Sequence, residues 1–451
     1  MALWCEQAWL AEGWRNNIRL SLDNGRISSI EIGVDAAPGD ERHAILLPAL
    51  PNLHSHAFQR GMAGLAERAG ASDDSFWTWR EVMYRFLDRL DPEGMEAIAA
   101  LAYAEMLESG FARVGEFHYL HHDPDGRSYR DVATMAQAIV AAAGETGIAL
   151  TLLPVFYAHS GFGGGAPTHG QRRFINDVDG FGALLGGCRD AVAGLDDAVV
   201  GVAPHSLRAA TADELAEVAA MAVGAPIHIH IAEQLPEVEA CLAWSGARPV
   251  EWLYDHADVG ADWCLVHATH ISEAERRAIV GSGAVVGLCP ITEANLGDGL
   301  FSAREFLSEG GRFGVGSDSN VEIDAAAELR LLEYGQRLTH RGRNLLAGGA
   351  GQSTGASLYR GALAGGGQAL GHPSAGLGVG EAADIVSLKA DDPTFAGRSG
   401  DAILDSWIFG GAARRVDCVW RGGVKRVAAG RHVAREAIDA RYRAAMDKLL
   451  A

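Results

Sequence analysis

The sequence predicts an α/β protein, a (β/α)8 TIM-like barrel with a small β-sandwich domain formed from both chain ends, and three observations lead there. Eight short β-rich apolar runs alternate with longer helical stretches between residues 44 and 317. Tight-turn β character opens the chain and returns after residue 377. No glycine-rich phosphate fingerprint follows the first run, which disfavours an open dinucleotide-binding sheet.

The elements are justified in chain order. RLSLDNGRISSIEIG reads as a hairpin turning at Asn24 and Gly25, a dipeptide suited to the positive φ angles of a type I′ turn. Residues 1–48 are therefore expected to form the N-terminal part of the β domain. The barrel is expected over 49–376, with strands near 44–50, 112–117, 148–156, 199–204, 226–231, 264–267, 284–289 and 313–317. ADIVSLKA and VDCVWRGGVKRVAAGRHV, with a second tight turn at Gly422 and Gly423, place the rest of the β domain and a terminal helix in 377–451. Glycine-rich loops are expected at 163–165 and 365–367, and no internal repeat is evident.

Bulk properties narrow the function classes. At 451 residues with 48% hydrophobic content, the chain can bury one large core and a satellite. Its 38 basic and 58 acidic side chains give a net charge of -20, which opposes nonspecific binding to nucleic acid or an anionic membrane. Six scattered cysteines include no C-x-x-C pair and read as buried thiols of a reducing, cytoplasmic compartment. The opening MALWCEQAWLAEG has no basic start before an apolar run, and no window approaches the ~20 apolar residues of a membrane span. A homodimer is the general expectation for such a chain.

The chemistry starts in LPNLHSHAFQR, where His54 and His56 stand two apart at the end of the first barrel strand. Positions i and i+2 of a strand share a face, so both imidazoles can meet one ion. An H-x-H alone is equally a packed core pair. In PIHIHIAEQ, His228 and His230 alternate onto one face; His230, nearer the rim, is the expected ligand, and His228 is expected to be hydrogen-bonded deeper in the core. Glu233 follows at that strand's mouth, CLVHATH puts His267 at the same level, and FGVGSDSN puts Asp318 at the end of the eighth strand. Singly, Asp318 could be an N-cap, Glu233 a solvated acid and His267 a core histidine. Together they bring metal-competent side chains from four strands to one rim.

This pattern, an H-x-H, a strand-five histidine followed by A-E, a strand-six histidine and a strand-eight aspartate, resembles the amidohydrolase superfamily over nearly the whole chain. Many members bridge two metals with a carbamylated strand-four lysine. Here the only lysines are Lys389, Lys425 and Lys448, outside the barrel strands, so one metal per chain is expected on His54, His56, His230 and Asp318. Zinc suits that donor set best, and iron or another divalent ion also fits it. The pattern is similar to the superfamily's deaminase branch, which implies that Glu233 protonates a leaving nitrogen while His267 and Asp318 orient or deprotonate water.

Within that branch, PNLHSHAFQRGMAG, FWTWREVMYRF, GEFHYLHHD, APHSLRA, HIHIAEQ, GLCPITEANLGDG and GVGSDSN look like the formimidoylglutamate deiminase family of histidine degradation. The resemblance implies a small dicarboxylate substrate, N-formimino-L-glutamate, with Arg80 and Arg208 as carboxylate partners. It also assigns Gln59, Tyr119 and His205 to substrate contact. Bland readings remain beside these: an exposed helix residue for Arg80, a surface ion pair for Arg208, packing for Trp77 and Trp79. A deaminase of an aromatic base or nucleoside, of the guanine or adenosine type, is the nearest alternative, and a non-catalytic barrel the remote one.

Overall fold

The computed structural model describes residues 1–68, 76–374, 376–389, 391–411 and 415–451, with the side chains of 76–78 excepted. Trp77 and the opening of the tryptophan-rich segment therefore lie outside the described side chains. Four strands come first: β1 (Ala2–Leu10), β2 (Gly13–Asp23), β3 (Arg26–Ile32) and β4 (Glu41–Pro48). Asn24 and Gly25 turn β2 into β3 with φ of 47° and 77°, the positive values expected of that dipeptide.

Parallel strands follow: β5 (Leu50–Ser55), β6 (Phe111–His118), β7 (Ala149–Phe156), the fragments β8 (Val199–Val200) and β9 (Ala203–Pro204), then β10 (Ile227–Ile231), β11 (Trp263–His267), β12 (Val285–Leu288) and β13 (Arg312–Val315). Helices separate most of them. β8 and β9 both pair with β7 and form one interrupted strand. The break falls at Gly201, where a Cβ would stand 2.4 Å from the Pro226 carbonyl oxygen. Parallel bridges Val202↔Ile227 and Ser206↔His230 join the fourth strand to β10, and Ser55↔Asp318 joins the first to the end of the eighth. Two parallel sheets are thus linked along both edges, consistent with a TIM-like (β/α)8 fold.

The tail supplies β14 (Ile385–Leu388), β15 (Val416–Arg421), β16 (Val424–Ala428) and β17 (Arg431–His432), and a terminal helix spans Arg435–Leu450. β14 pairs antiparallel with β4, so both chain ends share one sheet in the order β17-β16-β15-β14-β4-β1-β2-β3. By hydrogen bonding the expected sandwich is a single continuous sheet. Strand alternation divides its side chains: Leu46 joins the end-sheet core with Leu3, Ile18, Leu20 and Trp420, while Ile45 and Leu47 join the barrel core. Both faces are thereby buried along the second half of β4, where the sheet meets the barrel.

Two expectations are corrected. The run at 44–50 is not the first barrel strand: its residues through Pro48 lie in β4, and the barrel strand is Leu50–Ser55. The apolar stretch is continuous across the two, and only pairing separates them, with Ala49 N–H on the Asp384 carbonyl at the crossing. The glycines 365–367 form no loop but lie in the helix Thr354–Ala369. Close approach explains them, since a Cβ on Gly365 would be 2.0 Å from the Phe313 carbonyl oxygen and one on Gly366 2.6 Å from the Pro51 ring. Beyond that helix Leu370 packs with Leu53, Cys264, Val266 and Val285 inside the barrel. All six cysteines are buried and unpaired. Among the described residues no helix is long and apolar enough to cross a membrane.

Candidate active site

The first strand delivers His54 and His56 to one face, and side-chain amides clamp it to the eighth. Asn52 Nδ2 donates to Ser317 Oγ at 2.6 Å and Ser317 N–H returns to Asn52 Oδ1 at 3.0 Å. Asn320 Nδ2 reaches the His56 and Asp318 carbonyls at 3.1 and 2.9 Å. Backbone bonds from His56 N to Asp318 O and from Asp318 N to His54 O, both 3.0 Å, complete the seam. Asn52, Ser317 and Asn320 were not singled out in the sequence; polar residues inside an apolar strand end were the available signal.

Hydrogen bonds fix which ring nitrogens face the centre. His56 Nδ1 donates to the Phe117 carbonyl at 2.9 Å and His230 Nδ1 to the His205 carbonyl at 3.1 Å. A carbonyl only accepts, so these Nδ1 atoms carry hydrogen and the Nε2 lone pairs point inward. His230 Nε2 lies 3.1 Å from His54 Nε2, and Asp318 Oδ1 lies 3.5 Å from His54 Nε2 and 3.3 Å from His56 Nε2. A tetrahedral ion held at ~2.0–2.1 Å separates its ligands by about 3.3–3.4 Å. Three donor separations, 3.1, 3.3 and 3.5 Å, thus lie close to such an edge. Burial drives the His54 imidazole down to about 3 and lowers those of His56 and His230, which favours the neutral rings that could hold a metal. Burial would raise Asp318, but contact with His54 and the neighbouring imidazoles hold its carboxyl below the usual range. His228 stands apart as expected, with Nε2 on the Ala369 carbonyl at 2.7 Å.

His267 Nε2 is 3.8 Å from both Asp318 Oδ2 and Glu233 Oε1, and its Nδ1 is 3.2 Å from Glu293 Oε1. Burial opposes charge on this ring, yet Glu233, Glu293 and Asp318 together raise it well above an ordinary histidine. Burial pushes Glu233 up, against the pull of His267 and Arg208. Its N–H is held by Glu237 Oε2 at 3.0 Å. Glu293 was not anticipated, and neither was Cys289, which forms with His267 and Asp318 a trio of possible donors separate from the trio His54, His56 and His230. The ends of three strands bear strain: Ala232, His267 and Asp318 have φ of 50°, 68° and 44° without being glycine. Behind His56, Glu116 Oε1 accepts the Ala57 N–H at 2.7 Å, and burial pushes its carboxyl up to about 8.

One cleft gathers the rest. His56, His230, Glu233, His267 and Asp318 line it with Gln59, Arg80, Tyr119, His205 and Arg208; His54 is fully buried and absent from the lining. Gln59 Nε2 donates to Tyr119 Oη at 2.9 Å, while Gln59 Oε1 is buried with no hydrogen-bond partner among the described residues. His205 is driven well below the usual range, first by burial and then by the Arg208 charge. Burial also opposes the Arg208 charge, but Glu237 and Glu233 hold its guanidinium above the ordinary value. The sequence reading missed Met83, Tyr84, Tyr157 and Phe174 on the same lining, and it assigned Trp79 to packing. Tyr84 lies one helical turn after Arg80, whose guanidinium sits 5.7 Å from the Tyr84 ring centroid. Asn295, in the helix after the seventh strand, donates to Glu67 at 2.7 Å.

Known proteins resemble this chain throughout. Residues 45–425 match the model of the Amidohydrolase family, and residues 1–44 that of "Formimidoylglutamate deiminase HutF, N-terminal domain". A formimidoylglutamate deiminase from Pseudomonas aeruginosa is 50% identical over 96% of both chains. The crystal structure of an amidohydrolase from Brucella melitensis superposes with a TM-score of 0.97 at 55% identity, covering 100% of each chain. An adenosine deaminase from Xanthomonas campestris with bound zinc, 21% identical, shares the fold at a TM-score of 0.83 over 100% of this chain and 98% of its own.

Proposed function

This chain belongs to the amidohydrolase family, and from that premise we propose that it is the formimidoylglutamate deiminase of histidine degradation, hydrolysing N-formimino-L-glutamate to N-formyl-L-glutamate and ammonia. One juxtaposition carries the reading: metal-competent imidazoles and carboxylates and two guanidiniums line one cleft, in a chain half identical to such a deiminase along its length. In this reading residues 49–376 are the catalytic barrel, and 1–48 with 377–451 are the accessory β domain. The six unpaired thiols support a cytoplasmic site of action.

His54, His56, His230 and Asp318 would hold one zinc ion. When bound, zinc supplies the Lewis acidity that makes water nucleophilic near neutral pH. Asp318 Oδ2 and His267 Nε2, 3.8 Å apart, bracket the position from which a water proton is taken. Glu233, its carboxyl raised to about 7 chiefly by burial, faces the same point and is placed to hand a proton to the terminal nitrogen. A C–O bond forms at the formimino carbon and the proton taken from water joins that from Glu233 on the terminal nitrogen; the terminal C–N bond breaks, its electron pair leaves with ammonia, and the added hydroxyl returns its remaining proton to Glu233 as the formyl C=O forms. Gln59 Oε1, a buried acceptor without a donor among the described residues, suits the N–H groups of the formimino end. Arg80 and Arg208 suit the two carboxylates, which a neutral purine lacks.

The test is ammonia release by zinc-loaded protein supplied with N-formimino-L-glutamate, other formimino-amino acids, guanine and adenosine. A charge-assisted hydrogen bond contributes about 1.5–3 kcal/mol, so Arg80→Gln should raise KM for N-formimino-L-glutamate roughly ten- to a hundred-fold with kcat little changed. Turnover of guanine or adenosine without turnover of any formimino-amino acid would reject the substrate.

A further inference from the structure

We infer that Glu293 is a positioning residue for this reaction: it locks the ring of His267 with Nδ1–H held laterally and Nε2 facing the cleft. The inference rests on the reading of His267 as a proton-handling group. Glu293 lies in the first turns of the short helix Pro290–Leu296, is buried, and belongs to neither the metal donors nor the cleft lining.

One oxygen does two things. Glu293 Oε1 accepts the Cys289 N–H at 2.9 Å and lies 3.2 Å from His267 Nδ1. A carboxylate offers no hydrogen, so Nδ1 must carry one whether the ring holds one proton or two. Nε2 is thereby the ring nitrogen turned to the cleft, 3.8 Å from Glu233 Oε1 and 3.8 Å from Asp318 Oδ2. These are the carboxylates between which a proton must travel. The backbone sharpens the need for such a hold. His267 and Ala268 are consecutive non-glycine residues at φ of 68° and 47°, a turn that aims the ring into the cleft at a conformational cost. A ring presented from a strained strand end needs a lateral partner to keep one rotamer and one tautomer.

The plain alternative is a helix cap, for which the bond to Cys289 N–H is sufficient. Two substitutions separate the roles. Glu293→Gln retains an oxygen for both hydrogen bonds and loses only the negative charge, whereas Glu293→Ala loses both bonds. Charge-assisted hydrogen bonds are about twice as strong as neutral ones. Zinc-loaded Glu293→Gln should therefore keep wild-type metal content and KM while kcat falls about ten- to a hundred-fold, and Glu293→Ala should fall further. A readout independent of turnover is nitrogen NMR of histidine-labelled, zinc-loaded protein. The His267 Nδ1–H resonance, assigned by its loss in His267→Gln, should be far downfield and slow to exchange in wild type and Glu293→Gln, and absent in Glu293→Ala.

Unchanged kcat in both Glu293 variants would reduce the residue to a cap, and a wild-type His267 protonated on Nε2 alone would overturn the inference outright. If the wild type fails to turn over N-formimino-L-glutamate, the substrate reading falls, while the resonance still decides the role of Glu293.

Discussion

Gly316→Ala tests whether the seam between the first and eighth strands sets the metal geometry. A Cβ at position 316 would stand 2.7 Å from the His54 carbonyl oxygen, 2.8 Å from its nitrogen and 2.9 Å from its Cβ. None of these is the tip of a flexible side chain. Restoring ordinary contact requires the two strands to part by roughly 0.5–0.7 Å. The seam is pinned by the paired 3.0 Å backbone bonds between Asp318 and His54 and His56, so the displacement moves Asp318 away from its partners. Metal–ligand distances tolerate only about 0.2 Å. The donor edges of 3.3 and 3.5 Å would therefore open beyond what a tetrahedral ion accepts. Zinc affinity, measured by competition with a chromogenic chelator, should fall by about ten-fold or more, beside an overpacking cost of about 1–3 kcal/mol in stability. The control is Gly365→Ala, whose Cβ would meet the Phe313 carbonyl at 2.0 Å near the start of the same strand. That variant should lose at least as much stability, yet its folded fraction should bind zinc normally. Wild-type zinc affinity in Gly316→Ala would refute the reasoning.

Two further outcomes follow from the buried acids. Glu233→Gln should retain one zinc per chain and lose about 10²–10⁴-fold in kcat for ammonia release; near-wild-type turnover would remove Glu233 from proton transfer. Glu116, raised from 4.5 to about 8, binds its proton in the folded state over a range where the unfolded chain has lost it. Its contribution is complete at low pH and declines as pH climbs from about 4.5 to 8, by up to about 1.4 kcal/mol per unit. Glu116→Gln still offers an oxygen to the Ala57 N–H and should flatten that decline in urea midpoints between pH 5 and 8. An undiminished slope would show that the decline arises elsewhere.

The alternation of side chains in a strand is a local rule, and local rules carried much of this protein into its sequence. H-x-H at 54 and 56 and H-I-H at 228 and 230 assign faces from spacing alone. Strand counting placed Glu233, His267 and Asp318 at the same rim, and Asn24-Gly25 specified its turn through the φ angles those residues tolerate. The missing barrel lysine was legible without any structure.

What depended on chain segments far apart was not legible. The run through residue 48 and the strand from residue 50 form one apolar stretch, and only their hydrogen-bond partners, β14 on one side and β6 on the other, separate them. The glycines at 365–367 look like a loop until the Phe313 backbone and the Pro51 ring are brought against them. Glu293 reads as an ordinary helix-start acid, and only packing of the seventh strand's helix against the sixth strand's end gives it His267. The 3.5 Å approach of His54 to Asp318 itself depends on residues far apart in the chain meeting across the closing seam. Spacing determines which way a side chain points; which side chains it meets is decided when the sheet closes on itself.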